Sequence, residues 1–243
     1  MATETFGKLE TPSLTLGSVV REAAGLWALP GLALERRSLL SEPRGDGECV
    51  LVLPGFGADD RSTWILRRYL SQLGYRAKGW GLGRNGGDVE QTLEQVVDRI
   101  DALAERTEGR LSLVGWSLGG YLAREAARDR PERVRRVVTF GSPVIGGPKY
   151  TTAGSLAARF DWDLDEIERA VALRKETPLR VPVTAIYTRR DGVVNWRACI
   201  DDEGGGPIEH QEVDATHLGL GFSPEVYRIV ARTLAQAGTG SDH

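Results

Sequence analysis

Cysteine is scarce in this chain. Cys49 and Cys199 are the two thiols among 243 residues. They could form one bridge, but two cysteines make no disulfide framework in a chain this size, and both lie in apolar or mixed stretches, as buried thiols do in a reducing compartment. Lysine is scarce as well: of 31 cationic residues only Lys8, Lys78, Lys149 and Lys175 are lysine, a bias that base composition of the coding sequence explains. A formal net charge of −3 and a pI near 5.8 leave no basic footprint for nucleic acid and no polybasic run for an anionic membrane surface. No apolar stretch approaches the ~18 residues needed to cross a bilayer, so stable membrane insertion is not expected. Met1 to Glu10 carries acidic residues where a secretory signal needs a basic region and an apolar core. The expected location is therefore cytoplasmic. Internal repeats and low-complexity tracts are also missing.

What is present is a repeating alternation. A chain of 243 residues with 41% hydrophobic residues can bury one core. From Cys49 onward, short apolar runs alternate with segments of helical period, the pattern of a parallel sheet covered by helices on both faces. The predicted strands are 49–54, 75–80, 110–115, 133–140, 182–188 and 208–213. Predicted helices cover 64–73, with Ser62 as its cap, then 88–106, 117–128 and 223–236. In the second of these, Asp88 supplies the cap, and Val89, Leu93, Val96, Val97, Ile100 and Leu103 form one stripe. Two segments fall outside the repeat. Residues 1–48 read as an amino-terminal extension packed on the core, with an amphipathic helix near Ser18 to Leu29 ended by Pro30-Gly31, then a polar stretch from Ser41 to Glu48. Arg21 and Glu22 give that helix no cationic face for a membrane surface. Residues 145–180 read as a small helical cap inserted into the main domain, residues 49–243.

Such a sheet builds its site at the carboxyl ends of its strands. There, strand residues Leu111-Ser-Leu-Val114 run into Gly115-Trp-Ser-Leu-Gly119 and then into helix, the context of a nucleophile elbow. Glycines two positions either side of Ser117 are needed because a Cβ at either would strike the neighbouring strand or helix. A serine hydroxyl is a weak nucleophile and needs a base that a third group orients. Of the three histidines, His243 is terminal and His210 lies within a strand, which leaves His217, in the loop after the last strand, as the base. Asp191, just past the preceding strand, is the orienting carboxylate; Asp201, Asp202 and Asp214 are its rivals, Asp214 lying too close to His217 along the chain. The order Ser117, Asp191, His217 fits an elbow enzyme. Backbone N–H groups of Leu118 and of Phe56, in the loop Pro54-Gly-Phe-Gly57, are the expected oxyanion hole.

Together, PGFGADD, GWGLGRN, LVGWSLGGYLARE, FGSPV, YTRRDGVVNWRACID and ATHLGLGFSP resemble the α/β-hydrolase superfamily, in particular a bacterial lipase/esterase-like branch. The likeness runs from Cys49 to Gln236 and leaves residues 1–48 outside. It implies the α/β-hydrolase fold, a serine–aspartate–histidine triad at Ser117, Asp191 and His217, an oxyanion hole at Phe56 and Leu118, and no cofactor or metal. Many relatives carry His-Gly where this chain has Pro54-Gly55, which removes a side chain that often braces the oxyanion loop.

The expected pocket lining is apolar: Phe56, Trp116, Leu118 and Leu218, with Val144, Phe160, Trp162 and Trp64 added if the insertion folds over the site. Such a lining favours neutral esters over charged or phosphorylated substrates. The leading expectation is a serine hydrolase that cleaves carboxylic esters, esterase or lipase, through an acyl-enzyme. Acyl transfer to an alcohol or thiol acceptor uses the same intermediate, and a triad-retaining ligand-binding protein is the alternative from outside enzymology.

Overall fold

A computed structural model of the chain describes residues 12, 15–107, 109–154, 163–200 and 206–236. Its centre is a sheet of β1 (Cys49–Leu53), β2 (Arg76–Gly79), β3 (Leu111–Trp116), β4 (Val134–Phe140), β5 (Val183–Tyr187) and β6 (Ile208–Glu212). The strands lie in the order β2-β1-β3-β4-β5-β6, and every pairing is parallel. The chain leaves β1 outward to β2 and returns on the other side to β3, so the carboxyl ends of β1 and β3 flank the switch point where an open parallel sheet leaves a crevice.

Helices cover both faces: α1 (Leu16–Ala24), α2 (Leu29–Leu34), α3 (Arg36–Leu39), α4 (Trp64–Gln72), α5 (Val89–Thr107), α6 (Leu118–Asp129), α7 (Leu164–Arg174), α8 (His217–Leu220) and α9 (Pro224–Ala235). The two core layers follow the two-residue period of the strands. Leu51, Leu53 and Leu113 pack with Val96, Ile100 and Leu122 on one side. Val50, Val52 and Val114 pack with Leu66, Leu70 and Val230 on the other. All of β1 and β3 is buried, which is why these strands read as unbroken apolar runs. The stripe expected on α5 faces the core, and Asp88 caps that helix by accepting from the Gln91 N–H at 3.1 Å.

Local expectations fail where turn chemistry intervenes. Ser62 does not cap α4: the Asp59 turn captures it, its hydroxyl donating to the Asp59 carbonyl at 2.8 Å, and Thr63 takes the cap position without a side-chain bond to the first-turn N–H groups. β2 is shorter than expected because the N–H groups of Trp80 and Gly81 donate to the Asp60 carboxylate, at 2.9 and 3.1 Å, rather than to the sheet. Pro30-Gly31 does not end the amino-terminal helical segment. After a 3-10 turn, Gly25–Ala28, Pro30 occupies the first turn of α2, where no intrahelical N–H is required. Residues 155–162 of the expected helical cap lie outside the described residues. Cys49 and Cys199 are free and buried. Among the described residues no helix is long and apolar enough to cross a membrane.

A deeply buried ionic group lies on α6. Glu125 accepts from Arg124 Nη1 at 2.6 Å, Arg128 Nε at 3.0 Å and Arg174 Nε at 2.6 Å, the last reaching across from α7. Burial pushes its carboxyl up, but the Arg128 hydrogen bond and the charges of Arg124 and Arg128 outweigh this and hold it below the usual carboxylate range. Removing one partner of such a network is far more damaging than replacing it whole. Glu125→Ala is therefore expected to lower the unfolding free energy by about 3–5 kcal/mol, read from urea denaturation followed by circular dichroism. A loss within the scatter of ordinary surface substitutions would contradict this.

Candidate active site

The turn between β3 and α6 carries Ser117 at φ 53° and ψ −125°, the one non-glycine residue with positive φ among the described residues. Such a conformation costs on the order of 1–3 kcal/mol and persists only where its surroundings enforce it. Here the Ser117 N–H donates to the Phe140 carbonyl of β4 at 2.9 Å, and the Ser117 carbonyl accepts from the Gly120 N–H at 2.9 Å. A Cβ on Gly115 would fall on the backbone of Gly119 and Gly120, and one on Gly119 on the carbonyls of Leu53 and Pro54. Gly120, which the motif does not include, is as constrained: its Cβ would meet the Ser142 hydroxyl.

Asp191 and His217 meet at the ends of β5 and β6. Asp191 Oδ1 accepts from the N–H groups of Val193 and Val194 at 2.9 and 2.7 Å, while Oδ2 lies 2.7 Å from His217 Nδ1. One carboxylate oxygen is thus held by the loop and the other by the ring. With Nδ1 donating to Asp191, Nε2 of the neutral ring keeps its lone pair. The imidazole is buried against Trp116, with ring centroids 6.1 Å apart. Burial disfavours its charged form, but the charge and hydrogen bond of Asp191, with a contribution from Glu22, outweigh burial and raise its pKa above the ordinary histidine value. Asp214 instead pairs with Arg190 at the surface, at 2.8 Å. Asp201, Asp202 and His243 lie outside the described residues, and His210 is within β6.

Ser117, His217, Phe56, Leu118, Trp116 and Leu218 all line one cavity of about 1430 Å³. The Ser117 hydroxyl makes no hydrogen bond among the described residues. The loop after β1 passes against the serine so closely that a Cβ on Gly55 would lie 3.2 Å from Ser117 Cβ. Its brace is a residue the sequence reading missed. Asn85, buried in the loop after β2, donates through Nδ2 to the Pro54 carbonyl at 3.0 Å. Its backbone exchanges hydrogen bonds with the same loop, accepting from the Gly57 N–H and donating to the Ala58 carbonyl, both at 2.8 Å. In the sequence Asn85 sits among glycines and reads as an ordinary turn residue; its position at a strand's carboxyl end beside the switch point was the available signal.

Other expected pocket residues lie elsewhere. Val144 is buried, its N–H donating to the Ala198 carbonyl at 2.8 Å, and Pro143 stands in the cavity wall in its place. Trp64 borders a separate groove with Leu29 and Leu32. Phe160 and Trp162 lie outside the described residues. Among the described residues no cluster of histidine, cysteine, aspartate or glutamate is arranged to hold a metal ion.

A family model described as the alpha/beta hydrolase family matches residues 24–235, so the likeness begins within the extension that was expected to lie outside it. The chain is 25% identical over 206 residues to the mitochondrial palmitoyl-protein thioesterase ABHD10 of Bos taurus, covering 71% of this chain and 64% of that protein. It is 34% identical over 122 residues to the pimeloyl-[acyl-carrier protein] methyl ester esterase of Klebsiella pneumoniae, covering 49% of this chain and 42% of the relative. The match thus spans less than two thirds of the length of either relative. In fold it is similar to a monoacylglycerol lipase from Paleococcus ferrophilus, with a TM-score of 0.54 at 16% identity, covering 79% of this chain and 96% of that one. It is also similar to an epoxide hydrolase from Bacillus megaterium, with a TM-score of 0.58 at 15% identity over 79% of this chain and 95% of that one.

Two outcomes follow from this geometry. Asn85→Ala frees the loop that carries Phe56 and leaves the buried Pro54 carbonyl without this donor, so the unfolding free energy is expected to fall by about 1–3 kcal/mol in urea titrations; an unaltered unfolding free energy would contradict the bracing role. The raised pKa of His217 contributes stability that is complete below the unfolded value of about 6.5 and is lost as pH rises through the higher folded value. The stability gap between wild type and Asp191→Asn should accordingly narrow as pH increases from 6 to 9 in urea titrations. A gap that widens over that range would contradict the pairing.

Proposed function

The chain belongs to the α/β-hydrolase family, and from that premise we propose that it is a serine hydrolase cleaving carboxylic esters with neutral, apolar acyl groups. The single observation that carries this reading is the convergence on one cavity of Ser117, at its strained turn, and of His217, whose Nδ1 is held by Asp191. Ser117 Oγ attacks the carbonyl carbon as His217 Nε2 takes its proton, and the oxyanion forms between the backbone N–H groups of Phe56 and Leu118. Collapse expels the alcohol, which receives the proton from His217. Water then repeats the sequence on the acyl-enzyme and releases the acid. In ligand-free sites of this kind the hydroxyl-to-imidazole hydrogen bond is often open and tightens on substrate binding.

The cavity wall supports the substrate class. Phe56, Leu93, Leu118, Ile167, Val171 and Leu218 offer apolar surface for an acyl chain. Glu90, Glu94 and Glu166 also line it and disfavour anionic substrates by like-charge repulsion. The thioester activity named for the bovine relative and the methyl ester activity named for the bacterial one both proceed through acyl transfer to a nucleophile, the chemistry assigned here to Ser117.

Ser117→Ala is expected to abolish turnover of p-nitrophenyl esters and labelling by an organophosphonate while leaving the fold intact. Turnover equal to wild type in that variant would overturn the assignment. A panel of p-nitrophenyl esters and acyl thioesters of increasing length then identifies the acyl group.

A further inference from the structure

We propose that Glu22, on α1, is a positioning residue of this site that clamps the loops carrying Asp191 and His217 to one another. Its Oε1 accepts from the Gly192 N–H at 2.8 Å and its Oε2 from the Leu218 N–H at 2.9 Å. Gly192 directly follows Asp191, and Leu218 directly follows His217. The inference rests on the triad reading of the preceding subsection and adds to it a second carboxylate, supplied from outside the strand-end loops.

Several observations converge on this role. Glu22 is 5% exposed, and a buried carboxylate is tolerated only where hydrogen bonds satisfy it. Its two oxygens divide between two loops rather than pairing with one, so a single rigid group sets the separation of the two backbones. The loops are also tied by the Thr188 hydroxyl, which donates to the Ala215 carbonyl at 2.7 Å but lies further from the Asp191–His217 hydrogen bond along both segments, and by the Arg190–Asp214 pair, which is exposed at the surface. The extension is seated tightly enough to act as a clamp: a Cβ on Gly25 would collide with the Thr216 hydroxyl and lie 2.7 Å from the Gly219 nitrogen. α1 and the turn after it therefore lie directly on the short helix that begins with His217.

The clamp also carries charge. His217 is faced by Asp191 from the loop after β5 and by Glu22 from α1. Arg21 of α1 lies beside Gly192, the Cys199 thiol lies near Asp191, and Arg190 and Asp214 neutralise each other at the surface. The imidazolium that forms when Ser117 loses its proton is thus stabilised by two carboxylates, and removal of either weakens the base.

The test uses the full chain with Glu22→Gln and Glu22→Asp, measuring kcat and KM on p-nitrophenyl butyrate from pH 5 to 10 beside wild type and Ser117→Ala. For Glu22→Gln, kcat is expected to fall roughly ten- to a hundredfold with KM within twofold. Its acid limb should move down by about half a pH unit or more, because the ring loses one neighbouring negative charge. Glu22→Asp keeps the charge, so its limb should stay at the wild-type pH while kcat drops. The limb's position does not depend on how much enzyme is folded, and Glu22→Asp supplies the second reading if Glu22→Gln accumulates poorly. Wild-type kcat in both variants, or lowered kcat with the Glu22→Gln limb unmoved, would overturn the proposal alone. Wild-type turnover that survives Ser117→Ala would overturn it together with the reading beneath it.

Discussion

A left-handed backbone turn held between a strand and a helix is the constraint on which the site depends. Ser117 adopts it because β3 must hand the chain to α6 within one residue, and the helix can approach the sheet only where side chains are missing. Gly115, Gly119 and Gly120 supply that clearance, each at a point where a Cβ would strike backbone or the Ser142 hydroxyl. The strain is local, while its support is distributed: the Ser117 amide is fixed by β4, and the helix rests on the carbonyls that end β1. The backbone at Ser117 cannot relax to an ordinary conformation without giving up its hydrogen bond to β4. The surrounding loops therefore have a fixed point about which to assemble.

Around that point the chain concentrates opposing charge effects. The parallel sheet brings the loops after β5 and β6 side by side, so residues 26 positions apart, Asp191 and His217, share a hydrogen bond of 2.7 Å. Burial by itself would keep the imidazole neutral, and the neighbouring carboxylates pull the other way and prevail. The balance suits the proton-shuttle role proposed for His217. The same economy of backbone contacts appears at the other side of the cavity, where Asn85 braces the loop after β1 through Pro54, Gly57 and Ala58. The glycine-rich tract around Asn85 is what lets the loop after β2 fold against Pro54.

Much of this was legible because it is written in local patterns. The strands buried on both faces appear as unbroken apolar runs, the stripe on α5 keeps its helical period, and the glycines flanking Ser117 mark the turn that collides least. The pairing of Asp191 with His217 was readable from their positions after successive strands. What stayed hidden depends on contacts distant along the chain. Glu22 looks like a solvent-facing residue of an amphipathic helix, and nothing near it announces that Gly192 and Leu218 will donate to it. Trp64 and Val144 are apolar residues close to motif segments, and only the packing of α4 and of the segment after β4 turns them away from the cavity. Ser62 and Pro30 misled for a smaller reason: an aspartate turn captured the first, and the second opened a new helix instead of closing the old one.

The covalent intermediate is the most direct test of the account. Rapid quenching of the wild-type chain with a slowly hydrolysed ester in excess, followed by peptide mass spectrometry, should find the acyl mass on the peptide containing Ser117. It should appear before steady state and decay as the acid is released. Product formation without any acylated peptide, or acylation at another residue, would contradict it.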